Sequence, residues 1–381
     1  MSTHITRRLG LGAAAVVGTA ALLLAGCSGS GGATPSGGSG GSPAADLDAA
    51  TEFLAPYQAE QKSLVLDEPL ASPLPKGLNI AFLDVGTPVA GVMWDLLQPL
   101  IPLTGITLTR ENIGSTPEEQ DAAMATVVQK GYDGIINVTA EPGFYPNQVT
   151  KLLEAGIPMA SASVMHTEEY KLPIAFNGPD FMREAGRAQA AAAVVRTEGK
   201  ATHFVYYPVN EFEFTGFQAE GFVDEMAELC PGCEVRQVGI PIQDVINQDP
   251  TRIVNDLQAN PQTEYFVAAA DEMTSGLPQK LDVAGITVKG SGTWSIPPDI
   301  QNVADGKADS TFAEDFALFM WTVTDQLFRE ITDTPYEWPD PSVSAPALMR
   351  LLTQEDAGDY LGGYVAVPDY QEQYAKLWGV S

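Results

Sequence analysis

In 228-ELCPGCEVR-236 two cysteines stand two residues apart, in a chain of 381 residues with three cysteines in all. That spacing serves three chemistries: half of a tetrahedral zinc site, a dithiol redox centre, or a covalent staple. Zinc would need two more ligands, and the sequence offers neither a second CxxC nor an HxxxH. A redox pair places its first thiol at a helix N-terminus, where the dipole lowers the thiol pKa. Here the order reads in reverse: Cys230 ends a helix, Pro231-Gly232 turn the chain, and Cys233 opens a strand. Other reactive signatures are missing, with no GxxxxGKS/T phosphate loop, no GxSxG elbow and no HExxH pair. The remaining conspicuous polar residues are carboxylates, interleaved with aromatics, which suit binding better than turnover. No enzymatic activity, cofactor or metal is expected.

The role of the cysteine pair depends on compartment. Arg7 and Arg8 precede an uncharged apolar run, 9-LGLGAAAVVGTAALLL-24, which falls short of the roughly 20 residues that span a bilayer. The run ends in Leu24-Ala25-Gly26-Cys27, which resembles the lipobox of bacterial lipoproteins. The resemblance implies that residues 1–27 are a lipoprotein signal and that Cys27 takes a diacylglycerol and becomes the mature N-terminus. Thr6-Arg7-Arg8 leaves Sec and twin-arginine export both open. Residues 28–45, SGSGGATPSGGSGGSPAA, have the composition of a flexible tether, and 28–75 are expected to be tether and N-terminal extension. Export into oxidising surroundings makes a Cys230–Cys233 disulfide the leading reading of the pair. The net charge of −29 repels nucleic acid and anionic headgroups, so attachment to the membrane would come from the lipid at Cys27.

From Pro75 onward the chain is long enough for two cores. Strands are expected at 78–83, 106–110, 134–138 and 158–163, and again at 202–206, 234–238, 264–269 and 286–290. Helices fall between them, one opened by the capping box 116-TPEE-119 and ended by Gly131. Such alternation predicts an α/β fold of two parallel sheets covered by helices. Segments 314–331 and 346–352 read as crossings between the two halves.

The pieces 80-IAFLDVGTPVAG-91, 131-GYDGIIN-137, 153-LEAGIPMAS-161, 268-AAADEMTSG-276 and 290-GSGTW-294, in this order, resemble the type I periplasmic binding proteins. The likeness is to the branch of sugar-type solute receptors for ABC importers. It implies two doubly wound parallel-sheet lobes joined by a three-crossing hinge: residues 76–177 plus 315–343, and 178–314 plus 344–381. It also implies a monomer that traps a small molecule between the lobes and meets permease subunits in the membrane. Independently, ligands of open parallel sheets sit beyond the C-terminal ends of the strands.

The strand-end loops supply the candidate ligand contacts. Asp84 and Thr87 follow the first strand, where Asp84 either bonds ligand or caps the next helix. Glu141 follows GIINV. Ser163 and Val164 stand where the sugar-binding branch commonly carries an Asp-Arg pair, so that grip is missing. In 208-PVNEFEFTG-216, Glu211 and Phe212 face the same region, and Gly216 replaces an arginine of the relatives. Asp244, Asp271 and Trp294 end later strands, and at Asp271 strand-end placement and family position agree best. Glu314 stands at a crossing, where relatives carry a glutamine. With no arginine or lysine among these candidates, an anionic ligand is disfavoured. The expected ligand is a sugar, polyol or modified sugar, with an amine or apolar cyclic compound as the second class. Delivery to an ABC importer and presentation to a membrane signalling protein, as a lipid-anchored sensor, are both open.

Overall fold

The computed structural model of the chain describes residues 45–380. The expected alternation resolves into two sheets. β1 (Asn79–Asp84), β2 (Thr107–Asn112), β3 (Gly134–Val138) and β4 (Met159–Ala162) form a parallel sheet in the order β2-β1-β3-β4. β5 (His203–Tyr207), β6 (Glu234–Gln237), β7 (Tyr265–Ala268), β8 (Lys289–Thr293), β9 (Ser310–Glu314) and β10 (Met349–Thr353) form the second, in the order β10-β9-β8-β7-β5-β6. Only β10 runs antiparallel to its neighbour. β3, GIINV, is buried at every residue, as a strand covered on both faces must be. The edge strand β2, TLTREN, carries exposed and half-buried residues.

Local chemistry sets the helix ends. Thr116 Oγ1 accepts from the Glu119 N–H at 3.3 Å, and Glu119 Oε2 accepts from the Thr116 N–H at 3.1 Å, which is the capping box read from the sequence. The helix it opens, Pro117–Lys130, ends at Gly131 with φ +65°. In the second lobe, helices Pro179–Arg196 and Glu213–Leu229 touch through their backbones. A Cβ on Gly186 would lie 1.9 Å from the Gln218 carbonyl oxygen, and one on Gly221 2.0 Å from that of Arg183.

After β9 the chain returns to the first sheet. Asp315 makes the corner, accepting from the N–H groups of Leu318 at 2.9 Å and Ala366 at 2.7 Å. Helix Phe316–Ile331 then packs against β3, β4 and helix Pro88–Leu97. On its far side Arg329 Nε lies 2.6 Å from Asp325 Oδ2, with both side chains 1% exposed. Trp378 Nε1 donates to Asp325 Oδ1 at 2.7 Å, and the Trp378 ring stacks on Trp321 at 5.4 Å.

Several boundaries differ from expectation. The strand placed at 286–290 runs Lys289–Thr293, β9 falls in a stretch for which no element is expected, just before the crossing 314–331, and β10 occupies most of the stretch 346–352 read as the other crossing. Residues 344–381, expected together in the second lobe, divide between the two lobes. β10 does pair with β9, but helix Tyr370–Trp378 packs on Phe316–Ile331 of the first lobe, where Tyr374 and Trp378 are buried. Part of 28–75 is likewise body rather than tether. Helix Leu47–Leu54 packs on the glycine-paired helices of the second lobe. Farther on, Leu70 N–H donates to Leu377 O at 3.0 Å and Ala71 N–H to Thr334 Oγ1 at 2.9 Å, both in the first. Buried Ala50, Leu54, Tyr57, Leu64 and Leu74 hold this segment down.

Cys230 and Cys233 are disulfide-bonded, with Cα atoms 5.4 Å apart, between helix Glu213–Leu229 and the N-terminal end of β6. No helix among the described residues is long and apolar enough to cross a membrane. Cys27 and residues 28–44 lie outside the described residues.

Candidate functional site

The C-terminal ends of both sheets face one another, and the space between them is a cavity lined from both lobes. The first lobe supplies the loop after β1 and the start of its helix (Val85, Thr87, Val89, Ala90, Met93), with Thr139, Ser163, Phe316 and Phe319. The second supplies Phe212, Phe214, Ala270, Glu272, Trp294 and Glu314. Contacts between the lobes close over it. The Val89 N–H donates to Glu272 Oε1 at 2.6 Å, His166 Nε2 lies 2.6 Å from Glu213 Oε2, and Gln243 Nε2 donates to Ser115 Oγ at 3.2 Å.

The lining residues reach the cavity through a shared backbone device. Thr139, Ser163 and Trp294 are each the first residue after a strand, and each has a left-handed backbone, with φ of +70°, +53° and +61°. Such a conformation costs a residue with a side chain about 1–3 kcal/mol and clusters where a site is built. It turns the chain sharply as it leaves the sheet. Ser163 is further fixed by Asn177, whose Nδ2 donates to Ser163 Oγ at 3.0 Å while its Oδ1 accepts from the Ser163 N–H at 2.6 Å.

The walls are apolar and aromatic, and the polar groups among them are few. Thr87 Oγ1 is already an acceptor for the Ala90 N–H at 3.3 Å, capping helix Pro88–Leu97. Glu314 is 3% exposed and its Oε1 has no hydrogen-bond partner among the described residues; nor has Nε1 of Trp294. Burial, helped by the neighbouring Asp315 charge, pushes the Glu314 carboxyl well above the usual range. Burial likewise lifts Glu272 to about 7, against the Val89 hydrogen bond that favours its charged form.

Of the residues expected from the sequence, Thr87, Ser163, Phe212, Trp294 and Glu314 line this cavity. Asp84 does not. Its carboxylate pairs with Arg110 Nε at 2.6 Å and accepts from the Gly86 N–H at 2.8 Å, so it neither meets the cavity nor caps the helix, which Thr87 does. Glu211 is spent on the Ile242 N–H at 2.8 Å, and Asp244 pairs with Arg252 at 3.0 Å.

Asp271 departs most from expectation. It is buried away from the cavity, where Ser295 Oγ and Thr311 Oγ1 donate to its Oδ2 at 2.7 and 2.6 Å. Its Oδ1 occupies the space a Cβ on Gly292 would need, 1.7 Å from that position. Burial and nearby Asp299 raise its pKa. The next residue, Glu272, is the one that faces the ligand space. Glu141 lies beside the closure contact, accepting from the Met165 N–H at 2.8 Å, and burial raises it to about 7.

The sequence reading did not single out Glu272, Thr139, Phe316 or Phe319. Glu272 lay within the quoted segment ADEM, one position from the residue chosen. Phe316 and Phe319 carried the signal of an apolar helix start and were read only as part of a crossing.

Comparison with known proteins places this geometry. The family described as "Periplasmic binding protein domain" matches residues 103–333. No curated protein matches the sequence. Among solved structures, the 5-methylthioribose transporter solute binding protein from Thermotoga lettingae TMO, in complex with 5-methylthioribose, is 15% identical with a TM-score of 0.64. That match covers 81% of this chain and 95% of that one. A carbohydrate transporter from Acidothermus cellulolyticus 11B, in complex with myo-inositol, is 14% identical with a TM-score of 0.61, over 74% and 96% of the two chains. An ABC transporter solute binding protein from Mycobacterium smegmatis, with bound glycerol, is 17% identical with a TM-score of 0.62, over 76% and 98%. At such identities the likeness is one of fold.

Proposed function

The chain belongs to the periplasmic binding protein family, with the type I fold, and on that premise we propose that it is the extracytoplasmic solute receptor of an ABC importer. It is a binding protein and not an enzyme. A small molecule enters between the open lobes, the lobes close over it, and the closed form is what the permease subunits receive. Lipidation of Cys27 would hold the receptor beside its permease. The observation that carries this reading is the cavity at the facing strand ends of both sheets, lined from both lobes by apolar and aromatic side chains with a few polar groups among them, which is the usual lining of a small-molecule site.

Sugars and polyols head the candidate solutes, because relatives of the same fold hold 5-methylthioribose, myo-inositol and glycerol. The lining favours a more apolar compound. The Asp-Arg grip is replaced by Ser163 and Val164, and no lysine or arginine lines the cavity. Anionic solutes would be buried against two carboxyls without a partner.

A thermal-shift screen of the purified protein against sugars, polyols, amines and small cyclic compounds tests the reading. A ligand at a hundred times its Kd stabilises by about 2.7 kcal/mol, which is a shift of several degrees. A protein that no small molecule stabilises, or that only anions stabilise, is not the receptor described here.

A further inference from the structure

The cavity holds carboxyls without counter-charges, and the chain supplies none. Elsewhere, buried or half-buried carboxylates are answered by the chain, some by a cation, as Asp325 by Arg329, Asp84 by Arg110 and Glu225 by Arg187 at 2.7 Å, and others by neutral donors, as Asp271 by Ser295 and Thr311 and Asp315 by the N–H groups of Leu318 and Ala366. Glu314 and Glu272 face a space lined by no arginine, lysine or histidine. A buried carboxyl without a cation is kept neutral or completed by something that enters. Its elevated pKa lets Glu314 wait in the protonated form until then.

The rest of the wall speaks to the body of that solute. Phe82, Phe212, Phe214, Trp294, Phe316 and Phe319 surround the same space, with the Phe212 and Phe214 rings stacked at 5.3 Å. Aromatic faces attract a cation held over them and also bury apolar surface. A polyol finds only a few polar groups on a mostly apolar wall. The Thr87 and Ser163 hydroxyls each already accept a hydrogen bond, which leaves one O–H apiece to donate, and Glu272 Oε1 is engaged by Val89. The hydroxyls of a polyol that face the aromatic rings instead would lose their water without a partner.

We propose that the solute of this cavity is a compact organic cation, an amine or quaternary ammonium on a largely apolar body, with Glu314 as its counter-charge and the aromatic walls around it. Glu272 is the second carboxylate within reach, and it also ties the lobes through Val89, so charge recognition and closure share a residue. An acceptor on the same solute would answer Nε1 of Trp294. The inference rests on the receptor reading above and narrows it to a class of solute.

Charge can be separated from shape with matched probes. Benzylamine and phenyltrimethylammonium are compared with benzyl alcohol, and with myo-inositol and D-allose, by thermal shift and titration calorimetry. The expected result is that both cations bind at least tenfold more tightly than benzyl alcohol and that the polyols do not bind at those concentrations. Glu314→Gln should remove that preference, weakening both cations at least tenfold more than it weakens benzyl alcohol. Glu272→Gln is the second variant, should the first fail to fold, and should weaken the cations in the same sense. If benzyl alcohol binds as well as benzylamine, or if polyols bind and cations do not, the cation assignment is overturned and the receptor reading stands. If no probe of any class binds, the cation assignment falls, and the receptor reading is decided by the wider screen above.

Discussion

Helix Phe316–Ile331 carries a buried carboxylate on its far side and begins just after another. Asp325, beyond its middle, is answered by the chain: Arg329 one turn on, and the indole of Trp378 from the C-terminal helix. Glu314, two residues before the helix begins, has an oxygen answered by nothing among the described residues. Burial is nearly complete in both places, so exposure does not explain the contrast. The difference lies in what the fold was able to place nearby. Where the partner is part of the chain, the carboxylate stabilises architecture. Where the partner is absent and the space is enclosed, the carboxylate is available to a ligand, and the fold bears the cost of keeping it there.

The sharpest way to break this contrast is to make the paired site resemble the unpaired one. Arg329→Ala leaves Asp325 buried with only Trp378 and also frees the Glu68 carbonyl, which Arg329 Nη2 holds at 2.6 Å. Removing one member of a buried pair costs about 3–5 kcal/mol. Denaturant unfolding should show that loss, and whatever still folds should bind ligand with unchanged affinity. Weakened binding at full stability would mean that the two regions are not separate.

The next test acts on the unpaired region through pH. Glu272 titrates near 7 in the folded protein against 4.5 for a free carboxyl. Its folded pKa is raised, so the folded state binds the extra proton, and stability is greatest below pH 4.5 and is lost as pH rises through 7. At 1.36 kcal/mol per unit, that loss is about 3 kcal/mol. Glu141, Asp271 and Asp299 are raised as well, so the informative quantity is the difference between proteins. Glu272→Gln keeps an oxygen for the Val89 N–H but has no proton to lose. Its stability should fall less steeply between pH 5 and 8 than that of the parent, by up to about 3 kcal/mol. Identical pH profiles would remove Glu272 from the set of strained carboxyls.

How far the sequence could see depended on the range of the interaction. The capping box at Thr116, the turn at Gly131 and the fully buried β3 are set by neighbours a few residues apart, and they stand where the sequence places them. The cavity side chains were harder. Asp271 and Glu272 sit together on a single turn, Asp271–Thr274. Strand-end position marks the turn but not which of two adjacent carboxylates points into the cleft. That was decided by Gly292, Ser295 and Thr311, which come from the neighbouring strands and the loop after β8 and make a nest for Asp271. Thr139, Ser163 and Trp294 adopt left-handed backbones without the glycine that announces such a turn. The docking of helix Leu47–Leu54 on one lobe and of Tyr370–Trp378 on the other depends on apolar faces far apart in sequence. Composition at either end gave no sign of which lobe would receive them.

The smallest expected effect concerns the feature with the most conspicuous spelling. Cys230 and Cys233 close a loop with a sequence separation of 3, and the entropy removed from the unfolded chain by so short a loop is worth about 2 kcal/mol at most. The bond lies at the N-terminal end of β6, whereas the cavity opens at the C-terminal ends of the strands. The turn also has its own hydrogen bond, Cys233 N–H to Cys230 O at 2.9 Å, which survives reduction. Reduction, or replacement of both cysteines by serine, should therefore lower stability by no more than about 2 kcal/mol in denaturant unfolding and leave ligand affinity unaltered. A change in affinity on reduction would place the pair with Glu314 rather than with Asp325, as part of what the solute senses. Geometry argues against that, because a local break there leaves the strand ends that frame the cavity in place.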